Sequence, residues 1–164
     1  MKLTQKEATL IKDLKTQEML CAEKYQKHSE SAVDKQLSKL FNELSAVEQN
    51  HYKMLCTLEK GRVPKVGGQQ QGGSKQKSQQ TTKQKTTKTF KSTYGTQETK
   101  DKQNDSFLCN DVLAAEKQAS GLYNTCVFEF VDPQARKLLN QIQTQEQNHG
   151  KYIYDYMSAN GMQG

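Results

Sequence analysis

The amino-acid sequence predicts an all-α protein, a four-helix bundle made of two repeated helical hairpins with a long crossover between the second and third helices. The first observation is an internal repeat, in which residues 13–59 align with 111–157 at a constant offset of 98 residues. Fourteen of the forty-seven aligned positions are identical. The second is that each copy contains two stretches in which apolar residues recur every three or four positions, as along one face of a helix.

The four helical elements follow from these apolar stripes. The first stripe runs from Ile11 to Ala32 and the second from Leu37 to Leu58. The third runs from Cys109 to Phe130 and the fourth from Ala135 to Tyr156. Each stripe marks the face that a helix buries in a bundle core.

Two aspartates mark where the second helix of each hairpin begins. Asp34 and Asp132 are favoured N-cap residues, and Pro133 suits the first helical position, where no backbone N–H is needed. The turn of the first hairpin then lies near Val33, about equally distant from Glu18 and Glu48. Because the helical rise per residue is constant, Glu18 and Glu48 should face each other across the hairpin.

The composition divides the chain into three parts. Residues 61–104 contain nine Gln, nine Lys, eight Thr and six Gly and almost no large apolar side chain. Such a stretch buries too little surface to offset the entropy of ordering it, so we expect a disordered linker. Residues 1–60 then form hairpin 1 and residues 105–164 form hairpin 2, and the two hairpins together form one domain.

The positive charge of the chain lies in that linker. Residues 61–104 carry nine Lys and one Arg against two acidic residues, a net charge of +8. Since the whole chain has a net charge of +6, the remainder sums to −2. A nucleic-acid-binding surface would need basic residues on a structured face, so no nucleic acid is expected as a partner. A solvated tether and contact with an anionic polymer both remain open for the linker.

The cysteines and the N-terminal residues favour synthesis in the cytoplasm. Cys21, Cys109 and Cys126 lie on apolar stripes, where a free thiol behaves as a small hydrophobic side chain. No apolar signal region follows Met1, and no stretch is apolar for long enough to span a membrane. We expect cytoplasmic synthesis without a signal peptide, reduced thiols and no membrane association.

The most informative motif is Glu-Gln-Asn-His, which occurs at 48–51 and again at 146–149. Glu18 and Glu116 lie 30 residues upstream of the two copies. A Glu from each of two helices and a Glu-x-x-His from each of two others form the ligand set of a dinuclear metal site. All six residues fall on apolar stripes, where unpaired carboxylates would be costly to bury. The predicted metal ligands are Glu18, Glu48, His51, Glu116, Glu146 and His149.

These ligand types favour two divalent metals, iron or manganese, over zinc, whose structural sites prefer cysteine and histidine. Glu48 and Glu146 could bridge the metals, because each comes from a helix that also supplies a histidine. Glu18 and Glu116 would then be terminal ligands, and each histidine would bind one metal. The alternative is that the six residues form a buried hydrogen-bond network without metal.

Two tyrosines, Tyr25 and Tyr123, follow the first glutamates by seven residues, two turns along the same face. One hypothesis is core packing. The other is a hydroxyl that hydrogen-bonds a ligand carboxylate or supplies an electron, which makes them the only catalytic candidates. His28 shares the stripe, but its repeat counterpart is Cys126, so packing or hydrogen bonding is favoured over ligation.

The motifs, their upstream glutamates and the tyrosines resemble the ferritin-like superfamily, including rubrerythrins. The resemblance covers both hairpins and implies dinuclear iron or manganese chemistry with oxygen or peroxide. A long crossover between the second and third helices is usual there, and residues 61–104 occupy that place. The chain has no paired C-x-x-C module and no fifth helix after Gly161, which argues against a full rubrerythrin and a ferritin cage.

The second half also resembles the coat F family of bacterial spore coat proteins. The resemblance is carried by Asp111-Val112-Leu113, Glu116-Lys117, Tyr123, Phe128-Glu129-Phe130, Arg136, Leu139, the second Glu-Gln-Asn-His and Ile153 to Met157 before Gly161. It implies a ferritin-like bundle in the spore coat, with other coat proteins as partners. The Gln and Lys of the linker are compatible with isopeptide cross-linking in a coat and equally with disorder.

Three functions follow as hypotheses. The leading one is a ferritin-like dinuclear metal protein, an oxidase, peroxidase or ferroxidase that oxidises Fe(II) or consumes oxygen or peroxide. The second is a structural spore coat component with a vestigial or unused metal site. The third is a redox or metal-storage protein unrelated to spores. A homodimer is compatible with each of them.

Overall fold

A computed structural model describes residues 1–64 and 88–162 of the chain. The described residues form four α-helices and no strand, which confirms the predicted all-α bundle. The helices are α1 (Gln5–Ser31), α2 (Lys35–Glu59), α3 (Lys100–Glu129) and α4 (Pro133–Ala159). The predicted disorder of residues 65–87 falls outside the described residues.

Each helix begins at a side chain that caps its first backbone N–H groups. Thr4 and Glu7 form a capping box at the start of α1. Asp34 caps α2, and Asp132 caps α4 with Pro133 in the first turn, as the sequence predicted. Thr99 caps α3 by accepting a hydrogen bond from the backbone of Lys102.

Contacts between the hairpins define the topology. On one face, Lys6 near the start of α1 pairs with Glu129 at the end of α3, and His28 near the end of α1 contacts Asp111. Helices α1 and α3 are therefore antiparallel neighbours, as are the two helices within each hairpin. The bundle runs up, down, down, up, so α2 ends and α3 begins at opposite ends of the bundle.

The core consists of two apolar clusters, one toward each end of the bundle. One cluster is built around Leu40, Phe41 and Tyr156, and the other around Ile11, Leu58 and Leu138. The four predicted stripes are buried, apart from His28 and Ala32 at the end of α1, which are half-buried. The repeated polar residues occupy the level between these two clusters.

The segment that precedes α3 is more ordered than its composition predicted. Phe90 packs edge-on against Tyr156 with ring centroids 5.5 Å apart, and the hydroxyl of Tyr94 donates to Asp105 at 2.6 Å. The backbone N–H of Thr93 donates to Asn160 at 2.7 Å. Helix α3 itself begins at Lys100, within the stretch that composition assigned to the linker. Two aromatic side chains and a few distant acceptors are enough to order residues 88–104.

None of the described helices is long and apolar enough to cross a membrane. All four cysteines are free thiols, and Cys21, Cys109 and Cys126 are buried as the sequence predicted. Burial raises the pKa of the Cys126 thiol to about 11, and it raises those of Cys21 and Cys109 further.

Candidate metal centre

Six polar side chains meet at one level of the core, between the two apolar clusters. Each helix supplies a glutamate, and α2 and α4 each add a histidine one turn later. None of the six is more than 4% exposed. They are the predicted ligands Glu18, Glu48, His51, Glu116, Glu146 and His149.

The six side chains form two groups that share two carboxylates. Glu18 and His51 belong to one group, and Glu116 and His149 belong to the other. Glu48 and Glu146 belong to both. Within each group, one ligand atom per residue lies within 4.8 Å of all the others. The geometry is thus compatible with the predicted bridging and terminal roles, which stay predictions.

Both histidines direct the Nδ1 atom toward the carboxylates. His51 Nδ1 lies 2.9 Å from Glu146 Oε1, 3.2 Å from Glu48 Oε2 and 3.3 Å from Glu18 Oε2. His149 Nδ1 lies 2.7 Å from Glu48 Oε1 and 3.3 Å from Glu116 Oε1. The two imidazole rings are stacked 5.8 Å apart, with an angle of 14° between their planes.

Many of these buried atoms lack a hydrogen bond of good geometry, although Glu18 Oε2, Glu48 Oε1 and Glu146 Oε1 each lie within 3.3 Å of an imidazole Nδ1. Throughout residues 1–64 and 88–162, the buried side-chain polar atoms without a hydrogen-bond partner all belong to this cluster. They are Glu18 Oε2, Glu48 Oε1, Glu116 Oε2, both carboxylate oxygens of Glu146 and His149 Nδ1. Orphaned buried polar atoms are rare in proteins and usually indicate a missing ion or water. Such a donor set fits a pair of divalent cations.

Electrostatic interactions within the cluster shift the pKa values of its carboxylates in different directions. Burial raises the pKa of Glu18 to about 7 and raises that of Glu146 well above its usual range. Burial opposes ionisation of Glu48 as well, but the adjacent imidazoles of His149 and His51 outweigh it and lower its pKa. Without metal, the cluster therefore keeps Glu48 ionised and favours the protonated forms of Glu18 and Glu146.

For the two histidines, burial and the neighbouring carboxylates have opposite effects on the pKa. Burial alone would lower their pKa values, but the surrounding carboxylates outweigh it, so the pKa of His149 rises to about 10 and that of His51 rises well above its usual range. Two imidazolium rings then partly offset the carboxylate charge. Metal binding would have to displace these protons, because a metal ligand nitrogen must be neutral.

Each buried tyrosine reaches a glutamate of the other hairpin. The hydroxyl of Tyr25 donates to Glu116 Oε1, and the hydroxyl of Tyr123 donates to Glu18 Oε1. Burial and then the nearby carboxylates raise the pKa of both phenols well above the usual range, so both stay protonated donors. The contact with a candidate ligand, one of the two hypotheses from sequence, is thus present. The proposed electron transfer stays a prediction.

Gln145 supports the imidazole of His51 on the side away from the carboxylates, a contact that the sequence did not predict. His51 Nε2 donates to Gln145 Oε1 at 2.5 Å, which leaves Nδ1 to face the carboxylates. The repeat gave no signal for it, since the counterpart of Gln145 in hairpin 1 is Val47. His28, in contrast, lies outside the cluster and contacts Asp111 at 2.7 Å, in agreement with a hydrogen-bonding role.

The second hairpin resembles a known protein family. Residues 104–163 match the Coat F domain. The match spans nearly all of α3 and the whole of α4, and it includes Glu116, Glu146 and His149. Hairpin 1, which supplies the other three candidate ligands, lies outside it. Neither the curated proteins nor the solved structures yielded a match to the chain.

Proposed function

We propose that the protein is a ferritin-like carboxylate protein that holds two divalent cations, iron or manganese, at the centre of its bundle. The observation that carries the proposal is the pair of buried carboxylate–histidine groups between the two apolar clusters, together with the side-chain atoms there that make no hydrogen bond. Burying four carboxylates together without cations is costly. Two divalent cations would balance the charge of four ionised carboxylates and give the orphaned atoms a partner.

The topology supports the ferritin-like assignment. Bundles of this class have one long crossover connection and take a Glu from two helices and a Glu-x-x-His from the other two. The up-down-down-up order and the α2–α3 crossover agree with this arrangement. The internal repeat places both hairpins in equivalent roles around the site.

Each of the six residues has a distinct role in the proposed site. Glu48 and Glu146 would be shared between the two positions, while Glu18 with His51 and Glu116 with His149 would complete one position each. Bound iron or manganese would supply the redox chemistry for oxidising Fe(II) or consuming oxygen or peroxide. The tyrosine hydroxyls would orient the carboxylates of Glu116 and Glu18, and the apolar clusters would keep water from the two ends of the centre.

The place of action that we propose is the bacterial spore coat. Support comes from the match of residues 104–163 to the Coat F domain. Partners would then be other coat proteins. A chain located there could remove oxidants or iron at the spore surface.

Metal content tests the proposal most directly. The metal-free protein, reconstituted anaerobically with Fe(II) or Mn(II), should retain close to two metals per chain by elemental analysis. Glu48→Ala with Glu146→Ala removes both shared carboxylates and should abolish retention. Glu23→Ala with Glu43→Ala is the matched control, because it removes two exposed carboxylates from the same bundle. Equal metal content in both double variants would refute the proposal.

A second candidate is a structural coat component whose metal site is unused. The favouring observation is the Gln-rich and Lys-rich connection at 61–104, which offers both partners of an isopeptide cross-link. Deletion of residues 65–87 should then make the protein extractable from the coat, while metal content stays unchanged. Unaltered extractability after this deletion would remove the case for cross-linking.

A further inference from the structure

A cavity between α3 and α4 reaches the candidate metal centre from outside. Its volume is about 510 Å³, and two of the candidate ligands, Glu116 and Glu146, form part of its lining. Gly150 and Leu113 lie along its wall, and the exposed Lys117 also lines it. Nothing in the described residues separates this cavity from the two carboxylates.

The repeat shows why the cavity is present on this face. The counterpart of Gly150 in hairpin 1 is Tyr52, whose ring lies 5.6 Å from the ammonium group of Lys15. A separate surface cavity exists on the α1–α2 face beside Tyr52, but it is lined by no candidate ligand. Its lining consists of Lys12, Lys15, Thr16, Met19, Leu20, Glu23 and Tyr52. The same helical position therefore carries an aromatic ring on one face and no side chain on the other.

Packing does not require glycine at position 150. A Cβ atom placed there would meet only Leu113 Cδ1, at an ordinary contact distance of 3.9 Å. Glycine weakens the middle of a helix relative to alanine, because it costs more backbone entropy to order. The visible consequence of Gly150 is the open space above Glu116 and Glu146.

Exposure of the candidate ligands follows the same asymmetry. Glu116 and His149 are 4% and 3% exposed, whereas their counterparts Glu18 and His51 are 1% and 0% exposed. The support behind the histidines differs too. Gln145 holds His51 from behind, while the residue at the equivalent place for His149 is the apolar Val47.

We infer that divalent cations enter and leave the centre through the α3–α4 cavity, and that Gly150 keeps this route open. The position held by Glu116 and His149 is then the exchangeable one, and the position held by Glu18 and His51 is the enclosed one. This inference rests on the proposed function, because it presumes that the six residues bind metal.

The rate of metal uptake tests the route separately from metal binding itself. Metal-free full-length protein is mixed with Co(II), and the visible absorption of the bound ion is followed by stopped flow. Gly150→Tyr copies the residue of hairpin 1 and should slow uptake about tenfold or more, with the final Co(II) per chain unchanged. Gly121→Tyr is the matched control, because Gly121 is an exposed glycine of α3 with no neighbour within 4 Å. It should load at the rate of the unaltered protein.

Circular dichroism would show whether Gly150→Tyr is folded. If it is not, a reciprocal variant still tests the inference. Tyr52→Gly should open a second route on the α1–α2 face and accelerate uptake. The inference is overturned if folded Gly150→Tyr loads as fast as the unaltered protein, or if Tyr52→Gly loads no faster. Failure of the unaltered protein to retain Fe(II), Mn(II) or Co(II) would instead refute the proposed function, an outcome distinct from unchanged rates.

Discussion

At the scale of single residues, the two tyrosines connect the hairpins through the candidate ligands. Tyr25 donates to Glu116 and Tyr123 donates to Glu18, so each hydroxyl fixes the carboxylate of the opposite hairpin. A hydroxyl in this position restricts the orientation of the carboxylate and removes one of its lone pairs from competition. The terminal carboxylates thus depend on residues that are remote in sequence.

Removing one hydroxyl should therefore weaken metal binding without unfolding the bundle. We expect Tyr25→Phe to lower metal affinity about 10-fold to 100-fold, the usual effect of losing a group that orients a ligand. Competitive titration against a chromophoric chelator measures the change. Tyr156→Phe is the matched control, because it removes an equally buried hydroxyl that donates to Asp34. A similar loss of affinity in both variants would mean that the effect is general destabilisation.

The protonation of the cluster predicts how the metal-free protein depends on pH. Glu18 has a pKa of about 7 in the folded state against 4.5 ordinarily, so the folded state holds an additional proton between these values. The stability of the metal-free protein should then fall as pH rises from about 4.5 to 7, by an amount on the order of 3 kcal/mol. Glu146, whose pKa is also raised, acts in the same direction from about pH 4.5 upward, and the two histidines do so above pH 6.5.

Thermal unfolding of metal-free protein at pH 5.5 and pH 8 measures this dependence. We expect a lower melting temperature at pH 8. Glu18→Gln should make the decline smaller, because the amide does not titrate. Below pH 4.5 the sign reverses for Glu48, whose lowered pKa means that acid removes a stabilising charge. A melting temperature that rises from pH 5.5 to pH 8 would contradict the proton distribution described for the cluster.

The repeat allowed the six clustered residues to be predicted from sequence, because equivalent positions in two hairpins must meet around the pseudo-two-fold axis. The same symmetry could not reveal Gln145, since Val47 occupies its counterpart. Nor could it show that each tyrosine contacts the other hairpin rather than its own. Those contacts depend on how α1 and α3 are packed, which spacing within one helix does not determine.

At the scale of the elements, the two aspartate caps are equivalent in sequence but not in structure. Asp132 caps α4 by accepting from the backbone of Gln134 and Ala135. Asp34 caps α2 and also accepts from the hydroxyls of Thr93 and Tyr156. It therefore joins α2 to α4 and to the segment that precedes α3.

Substituting each aspartate with alanine should distinguish helix capping from the additional contacts that Asp34 makes. Asp132→Ala should cost about 1 kcal/mol of stability, the usual effect of losing an N-cap. Asp34→Ala should cost about 2–3 kcal/mol, because the buried hydroxyl of Tyr156 also loses its acceptor. Urea unfolding of both variants gives the comparison. Equal losses would show that the contacts of Asp34 with Thr93 and Tyr156 add nothing.

Periodicity predicted the four helices well, because their buried faces are continuous for several turns. It failed for residues 88–104, where composition dominated the prediction. Order there depends on Phe90 against Tyr156 and on Tyr94 donating to Asp105. Asp105 itself is fully buried and also accepts the backbone N–H groups of Val33 and Asp34. Such pairings join distant parts of the chain and leave no local pattern.

At the scale of the whole molecule, neither hairpin can complete the centre alone. Each one supplies a Glu that belongs to one ligand group, a Glu that belongs to both, a His, and a tyrosine that contacts the other hairpin. Separated, each would expose an apolar face and leave its carboxylates unpartnered. The Coat F match nevertheless covers hairpin 2 only. Hairpin 2 alone would be complete if a second copy took the place of hairpin 1.

The repeat makes such a pairing geometrically feasible but weaker than the intact bundle. In a symmetric dimer of residues 99–162, Tyr123 of one copy could donate to Glu116 of the other, as Tyr25 does in the full chain. Several core positions of hairpin 2 carry smaller side chains than their counterparts. They are Ala135 for Leu37, Leu139 for Phe41, Val112 for Leu14 and Cys109 for Ile11. Each lost side-chain volume leaves a gap that reduces stability.

We therefore expect the fragment 99–162 to be helical only as a homodimer and to unfold on dilution. Circular dichroism and sedimentation equilibrium over a range of concentrations measure this coupling. Added fragment 1–64 should displace one copy and restore the more stable pairing, because its larger core residues fill the gaps. A fragment 99–162 that stays helical as a monomer would show that hairpin 2 is stable without a partner. The six candidate ligands would then not be required for hairpin 2 to fold.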